Sequence, residues 1–342
     1  MNATNEVKGN AGQVPAAVQL HQGTAAKFVH LADHDGTIFQ LISPLTTFPE
    51  HKLVTSFGAP LETRLGEIDK LAKDKDAVLV FHATGNSKPF FDKKEEIIAK
   101  FARAYLFLHI SPRHFLLKNR VAELEAAARL AKNCGVQVLT YAPNLKDIFA
   151  VHGIDVIPIQ VGVDFGNLTP LPSEQRKYIT TICTSGESVY HYVKGIDTFV
   201  KIAKELGIEK DCLILGTDTQ LYPDIRTMRV SQAESQELLR RSRVYVQLSR
   251  TEAYNLSAVC AKRMQVPVVV SDIEGHRDNV KYGFRVESEE SAKATIQAIL
   301  SGDAAFRTAD VVERNYQDSC ERETLKNFRE QLALLATRGH ND

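Results

Sequence analysis

The sequence has no tryptophan, only three methionines and no long apolar run among its 342 residues. No segment is apolar over a membrane-spanning length, and the first residues lack the apolar core of a secretory signal. The 42 Lys and Arg residues balance 42 Asp and Glu residues. Because nucleic-acid-binding proteins ordinarily carry a basic excess, this balance argues against a nucleic-acid partner. Contact with a membrane surface stays open.

Cysteine is also scarce, and its spacing does not match a metal-ligand motif. Several of the five cysteines fall in or beside apolar segments, as is typical of buried free thiols in a reducing compartment. We therefore expect a cytoplasmic protein with no metal and no cofactor. A Walker loop, a Gly-x-Gly-x-x-Gly segment and a Ser–His–Asp arrangement are absent as well. The cysteines are Cys134, Cys183, Cys212, Cys260 and Cys320.

Strands and helices alternate from Lys27 onward, with the clearest helix of the first half predicted over Phe115–Asn133. Alternation of this kind implies a parallel sheet with helices on both faces. The strands predicted in this half are Phe28–Ala32, Ala77–His82, Tyr105–Ile110, Val136–Tyr141 and Val156–Gln160.

A segment dense in turn residues, 166–173, interrupts the alternation, which then starts again. Helices are predicted near Gly195–Leu206, Glu234–Arg241 and Glu289–Leu300, and one or two polar helices near 304–338. The sequence therefore predicts two doubly wound α/β domains that face a central cleft. Sheets of this kind bind ligands at the carboxyl ends of their strands, so we expect the ligand in that cleft. The strands of the second half are Tyr178–Thr184, Cys212–Gly216, Ile225–Val230, Val244–Leu248, Val266–Ser271 and Phe284–Val286.

The segment from Val244 to Ser271 carries the most chemistry. A buried strand is followed by an acidic loop containing Glu252, then by a helix over about Asn255–Arg263 that Pro267 terminates. The free N–H groups of a helix that begins at the end of a parallel strand point into the crevice and favour anions. A carboxylate just before that helix suits the hydroxyl groups of a sugar lying beside a bound phosphate.

This segment resembles the donor-binding signature of the retaining glycosyltransferases of family four, which have the GT-B fold. Ser249, Glu252, Tyr254 and the strand beginning at Pro267 stand where the family pattern has them. Two positions depart from the pattern. Asn255 replaces the usual glycine, and asparagine is the next-best residue for an unusual backbone angle. Cys260 replaces the second glutamate, which in the family binds the ribose hydroxyls of the nucleotide.

The resemblance implies the GT-B architecture of two Rossmann-like domains and assigns each segment a task. From their polar, Gly/Ala/Gln-rich composition, residues 1–26 are expected to form a disordered tail. By the resemblance, 27–168 would bind the acceptor, 174–303 would bind the donor, and the helices of 304–342 would pack back toward the first domain. The implied reaction is retaining transfer of a hexose from a nucleotide-diphosphate sugar to a hydroxyl of a glycan, lipid or small molecule.

The family's functional positions can be carried over to this chain. Lys194 of a Lys-Gly pair would contact the donor phosphates, Glu252 would hold sugar hydroxyls, and His109 would lie near the reacting carbon; these three are the implied catalytic residues. The acceptor side would include Gly36, His82 and His109. The implied donor-binding residues are Lys194, Thr251, Glu252, Tyr254, Asn255, Leu256 and Cys260.

The loop before Lys194 lacks the arginine that the family uses as a second phosphate ligand. Glu187 stands near that place, and His191 or a distant arginine would have to compensate. Two alternatives therefore stay open. The protein could be a catalytically degenerate GT-B protein that binds or chaperones an active transferase. It could also be a GT-B enzyme that uses a sugar phosphate, for which a ribose-binding carboxylate is unnecessary.

Overall fold

A computed structural model describes residues 27–32, 41–56, 58–83, 90, 92–109, 121–142, 144–164 and 169–338. The predicted tail over 1–26 and the predicted acceptor residue Gly36 lie outside these residues. No helix within the described ranges is both long and apolar enough to cross a membrane.

The first half forms a parallel sheet whose six described strands run in the order β2-β1-β3-β4-β5-β6. Its apolar strands are buried on both faces, as crossover helices require. The strands are β1 (Lys27–Ala32), β2 (His51–Thr55), β3 (Ala77–Ala83), β4 (Arg103–Leu108), β5 (Gln137–Thr140) and β6 (Val156–Pro158). The helices of this half are α1 (Leu61–Leu71), α2 (Lys94–Ile98), α3 (Val121–Cys134) and α4 (Leu145–Ala150).

The second half forms another parallel sheet, with the order β12-β11-β10-β7-β8-β9. Serine capping boxes at Ser231 and Ser288 begin two of its helices. The strands are β7 (Tyr178–Ile182), β8 (Cys212–Leu215), β9 (Arg226–Met228), β10 (Ser242–Gln247), β11 (Val268–Ser271) and β12 (Phe284–Val286). The helices are α5 (Ser188–Val193), α6 (Ile196–Leu206), α7 (Gln232–Arg240), α8 (Leu256–Arg263), α9 (Glu274–Arg277), α10 (Glu289–Ser301), α11 (Thr308–Arg322) and α12 (Leu325–Arg338).

The predicted α/β architecture of two doubly wound parallel sheets is confirmed, and most predicted strands differ from the observed ones by one to three residues at an end. One strand was missed. β2 has the sequence His-Lys-Leu-Val-Thr and lies at the edge of the first sheet. Its two polar starting residues and its short length hide the apolar signal that identifies a central strand.

The last helix, α12, packs on the first sheet. Phe328, Leu332 and Leu335 are buried against Phe107 and Leu139, on the opposite face from most helices of this half. The chain therefore returns to its first half after completing the second. The bounds of the two domains stay a prediction.

The chain passes between the halves twice, near residues 160–163 and near 323–331, and these two segments lie side by side. The N–H of Val163 donates to the carbonyl of Glu323 over 3.1 Å. A Cβ on Gly162 would stand 2.2 Å from the carbonyl oxygen of Thr324, a separation that real Cβ atoms do not show. Gln160 and Gln331 exchange two further hydrogen bonds between backbone and side chain. Glycine at position 162 is thus required by the close approach of two backbones.

We predict that Gly162→Ala destabilises the protein by about 2–3 kcal/mol, because its methyl group can be accommodated only by moving one backbone. Gly66→Ala is the matched control. Gly66 lies inside α1, and a methyl group added there would have no atom within 4 Å, so alanine is expected to stabilise by about 0.5–1 kcal/mol. Urea unfolding of both variants measures the difference; equal midpoints would contradict the close contact.

Candidate active site

The centre of the site is an ion pair between Lys194 and Glu252. Lys194 follows α5, and Glu252 follows β10, so the ends of two neighbouring elements of the second half bring them together. Lys194 Nζ lies 2.5 Å from Glu252 Oε2, and the two side chains are 19% and 12% exposed. Although burial opposes it, the Glu252 carboxylate raises the pKa of Lys194 above its ordinary value. The lysine is therefore a fixed cation.

Glycines allow the two loops to approach this closely. Gly195 has a φ of +67°, and a Cβ there would lie 1.9 Å from the carbonyl oxygen of Leu248. A Cβ on Gly275 would lie 1.9 Å from the carbonyl oxygen of Glu252. The loop that carries Glu252 is thus packed between Gly195 and the short helix α9.

Asn255 caps helix α8 rather than adopting an unusual backbone angle, which corrects the expectation from the sequence. Its φ is −90°, and its side-chain oxygen accepts the N–H of Ala258 over 3.0 Å. Its amide donates to Nε2 of His276 over 3.1 Å, while Nδ1 of His276 donates to the carbonyl of Ser271. Burial lowers the pKa of His276 to about 4, so its ring is neutral and Nε2 can accept.

A buried polar network continues beneath the ion pair. Tyr245 donates to Gln247 over 2.9 Å, and the Gln247 amide donates to the carbonyl of Lys194 over 2.7 Å. Tyr245 and Gln247 are 0% and 2% exposed. Networks of satisfied buried groups hold their members in one geometry. Position 194 is therefore fixed from the backbone side, and its ammonium is fixed by Glu252.

Tyr254 and Leu256 lie where the halves meet. The Tyr254 hydroxyl donates to the carbonyl of Val161 over 3.3 Å, and its ring centroid lies 5.3 Å from that of Tyr141 at the end of β5. Leu256, the first residue of α8, also packs against the core of the first sheet. Thr251 is 4% exposed beside them. The structure thus brings the carboxyl ends of the two sheets together at these residues.

Cys260 lies on α8, half-buried, against the cluster that includes Tyr245 and Met264. Burial and the nearby Glu323 carboxylate raise the pKa of its thiol to about 12. A neutral thiol of this kind accepts hydrogen bonds weakly.

His82 and His109 belong to a row of four buried histidines. Ring nitrogens of His51 and His30 lie 3.0 Å apart, those of His30 and His82 3.0 Å, and those of His82 and His109 2.7 Å. His109 then contacts the hydroxyl of Tyr141 over 3.2 Å. We call these four histidines the histidine ladder.

The ladder corrects the view of His82 as an acceptor contact. His82 is 1% exposed, and both of its ring nitrogens bond neighbouring histidines, so it does not contact an acceptor directly. His30 and His51 were not predicted from the sequence. The signal was present, because His30 and His82 each stand in an apolar strand, but the register that joins them depends on the unpredicted strand β2.

Candidates for the missing phosphate-binding arginine are already engaged. Arg250 forms a two-pronged ion pair with Asp197, with nitrogen–oxygen distances of 2.8 and 2.7 Å, and its guanidinium lies over the Tyr192 ring. His191 is buried and bonds the carbonyl of Ser185. Glu187 is exposed at the start of α5. Lys194 is therefore the cation that the described loops place beside Glu252.

Metal-binding groups do not cluster in the described ranges: no three His, Cys, Asp or Glu side chains there could hold a metal ion together. The arrangement offers a lysine cation, a carboxylate and a helix N-terminus at the ends of parallel strands. These groups can bind a diphosphate and neighbouring hydroxyls.

Residues 179–301 match the family model of glycosyl transferases group 1. This range contains Lys194, Glu252 and the whole of α8. The chain has the GT-B fold, and its second half is similar to the glycosyl transferases group 1 over this range.

Solved structures support the fold of this GT-B protein over most of its length. Anabaena HepE in complex with UDP-glucose is similar with a TM-score of 0.66 and 16% identity, covering 90% of this chain and 98% of that one. Sucrose-phosphate synthase from Thermosynechococcus elongatus has a TM-score of 0.64 and 14% identity, covering 90% and 98%. S. aureus TarM in complex with UDP and other ligands has a TM-score of 0.60 and 17% identity, covering 80% and 59%.

A putative glycosyltransferase of Sulfolobus islandicus filamentous virus is 29% identical over 97 residues. The match covers 28% of this chain and 29% of the viral protein. The similarity in sequence thus spans less than a third of that relative.

We predict that the GT-B protein loses stability between pH 7 and pH 4. Burial, opposed by Glu50 and assisted by Arg329, lowers the pKa of His51 to about 4, and burial does the same for His276. Because the unfolded chain binds these protons near pH 6.5, the stability contribution is complete above that pH and falls as the pH drops toward 4. At about 1.4 kcal/mol per pH unit, each group contributes roughly 3 kcal/mol to the loss.

Thermal melts from pH 7.5 to pH 4.5 measure this dependence. His51→Phe is expected to lower stability at neutral pH but to flatten the acid loss. His152→Gln, at an exposed turn, is the control and should keep the wild-type profile. A melting temperature that stays constant between pH 7 and pH 4.5 would show that these rings are not buried as neutral groups.

Proposed function

We propose that the protein is a retaining glycosyltransferase that moves a hexose from a nucleotide-diphosphate sugar to a hydroxyl acceptor. The ion pair of Lys194 and Glu252 carries the proposal. It lies at the carboxyl ends of parallel strands, before the N-terminus of α8, within the range that matches glycosyl transferases group 1. The overall likeness to HepE, whose structure contains UDP-glucose, makes a nucleotide sugar the first donor to test.

In this proposal the donor separates the ion pair of Lys194 and Glu252 and binds to both side chains. The diphosphate takes the ammonium of Lys194, and sugar hydroxyls donate to the carboxylate of Glu252. The backbone of both residues is held in place, that of Lys194 by the Gln247 amide and that of Glu252 by its contact with Gly275, so only the two side chains have to move. Preorganised charges of this kind are worth more in a partly buried site than in water. The N-terminus of α8 adds its free N–H groups to the phosphate side.

The proposed chemistry is attack from the face that the leaving group departs from. The bond between the sugar's anomeric carbon and the phosphate oxygen breaks, and a bond from that carbon to the acceptor oxygen forms. The departing phosphate oxygen takes the proton of the acceptor hydroxyl, so atoms and charge balance without an enzymic nucleophile. Lys194 stabilises the negative charge that accumulates on the leaving diphosphate. Activity without a divalent metal and a cytoplasmic location stay predictions.

One observation favours a second candidate function. Cys260 supplies a weak neutral acceptor where the family has a carboxylate for the ribose, and a sugar phosphate donor has no ribose to bind. A protein that binds a partner transferase without catalysis is the third candidate. Thermal-shift measurements with UDP-glucose, UDP and glucose 1-phosphate separate the three, because a ligand that binds only the folded state raises its stability by mass action.

We predict that Lys194→Met and Glu252→Gln each reduce kcat/KM for transfer by on the order of a hundredfold or more, because each removes a preorganised charge contact. Each is also expected to lower the melting temperature, since the remaining charge is left half-buried without its partner. The double variant should recover part of the melting temperature but none of the activity.

Glu205→Gln is the matched control, because it breaks a more exposed ion pair with Lys293 of 2.7 Å elsewhere in the same half. Such pairs contribute little, so activity and stability should stay at wild-type values. Transfer within threefold of wild type for both Lys194→Met and Glu252→Gln would exclude the proposed roles.

We predict that Cys260→Glu tightens UDP binding by about 5–30-fold if the ribose lies against α8, the equivalent of roughly 1–2 kcal/mol for a charged hydrogen bond. Glu323 lies near enough to oppose a second carboxylate, so some loss of stability is expected as well. Calorimetric titration with UDP measures the affinity, and Cys260→Ser controls for loss of the thiol. Unchanged affinity would remove position 260 from the donor site.

A further inference from the structure

The histidine ladder crosses the first sheet diagonally. His51 begins β2 and lies level with Phe28 of β1, while His30 lies two residues further along β1. His82 lies level with Ala32 and so another two residues along, and His109 follows the end of β4. All four rings lie on the face that α12 covers, because side chains two residues apart share a face. The ladder therefore runs from the amino end of the sheet to the edge where the site lies.

The contacts of Tyr141 indicate the direction of the hydrogen bonds along the ladder. Its hydroxyl donates to the carbonyl oxygen of His109 over 2.9 Å. A tyrosine has one hydroxyl proton, so its oxygen can only accept from Nδ1 of His109. Nε2 of His109 then carries no proton and accepts from Nδ1 of His82. Nε2 of His82 in turn accepts from Nδ1 of His30, and Nε2 of His30 accepts from Nδ1 of His51. Every ring of the ladder is therefore the Nδ1–H tautomer.

The other end of the ladder agrees with this direction. Nε2 of His51 is buried and has no hydrogen-bond partner among the described residues. In the Nδ1–H direction this nitrogen is an unprotonated acceptor. In the opposite direction it would be a buried N–H without an acceptor, and buried donors are rarely left unpaired. Both ends thus select the same tautomer.

The Nδ1–H direction also disfavours a charged ring. An imidazolium at His30, His82 or His109 would turn its Nε2–H toward the Nδ1–H of its neighbour. At His51 it would leave a buried Nε2–H without an acceptor among the described residues. His30, His51 and His82 are at most 4% exposed, which adds the cost of burying a charge. Burial and the neighbouring rings lower the pKa values of His30 and His82 well below the ordinary value.

We propose that His51, His30 and His82 are positioning residues that hold His109 as its neutral Nδ1–H tautomer and thereby fix the Tyr141 hydroxyl oxygen at the acceptor side of the site. Both ring nitrogens of His109 are occupied within the ladder. The Tyr141 hydroxyl donates a hydrogen bond to the backbone carbonyl of His109 and accepts one from the His109 ring. It keeps one lone pair that can accept a hydrogen bond from a substrate hydroxyl beside Glu252.

The kinetic consequence rests on the proposed function, whereas the tautomers do not. We therefore propose to measure the tautomers first, by ¹⁵N–¹H correlation spectra of the full chain labelled at histidine, at pH 7.5. Single His→Phe substitutions assign the signals. All four ladder histidines are expected as Nδ1–H tautomers. A ladder histidine observed as the Nε2–H tautomer or as imidazolium overturns the proposal.

The second measurement tests whether the far end of the ladder acts on the site. His51→Phe keeps an aromatic ring stacked on Phe28, whose centroid lies 4.9 Å away, but removes the donor to His30. We expect this variant to show a mixture of tautomers at His109 and a several-fold lower kcat with UDP-glucose, at an unchanged KM for that donor. Tyr141→Phe is expected to give the same loss of kcat, because the fixed oxygen is gone.

Tyr105→Phe is the matched control. Tyr105 is a buried residue of β4 on the same face, and its hydroxyl donates to the carbonyl of Leu335 outside the ladder. It should lose stability as the ladder variants do, yet keep the His109 tautomer and kcat. A fall in kcat for Tyr105→Phe equal to that of His51→Phe would reduce the ladder to a stabilising element and overturn its positioning role. Wild-type protein that shows the expected tautomers and still transfers no sugar from UDP-glucose would reject UDP-glucose as the donor but not the ladder. In that case kcat would be measured with glucose 1-phosphate.

Discussion

The close approach of the two segments that connect the halves governs the geometry of the site. Gly162 lies against the carbonyl of Thr324, and the N–H of Val163 bonds Glu323. The carboxyl ends of both sheets are thereby brought to one place, where Tyr254 contacts Tyr141. The same segment anchors a buried charge network, because Glu323 binds Lys262 of α8 over 2.8 Å and both side chains are 0% exposed. A substitution at Gly162 that displaces residues 323 and 324 would therefore also displace α8, the helix that follows Glu252.

Two kinds of polar organisation meet at this junction. On the second half, a charged pair of Lys194 and Glu252 stands over a satisfied network that ends at Asn255 and His276. On the first half, the described polar side chains that reach this junction are the neutral rings of the histidine ladder, which ends at Tyr141. Charge on one side suits a diphosphate, whereas neutral hydrogen-bonding groups on the other suit hydroxyls. The division follows from burial, because a buried imidazole without a counter-ion stays uncharged.

Sequence reasoning predicted the order of the elements around Glu252, in which β10, a loop, α8 and β11 follow one another. The spacing of Ser249, Glu252 and Pro267 lies within one strand–loop–helix–strand unit, so local rules of strand length, helix start and proline placement are sufficient. It failed where the decisive contacts join distant segments. Asn255 was expected to need an unusual backbone angle, but its neighbours Ala258 and His276 make it a cap. The edge strand β2 was missed because its pattern is short and polar at the start.

The sequence by itself determined the α/β class, the alternation of elements and the loops that carry Lys194 and Glu252, since these depend on residues close together in the chain. Only the tertiary structure decided that these two form an ion pair and that His51, His30, His82 and His109 form one row. Those contacts depend on strand order and register, and a shift of one residue in a strand would turn its histidine to the other face of the sheet. Strand order results from packing across the whole domain, which no local pattern contains.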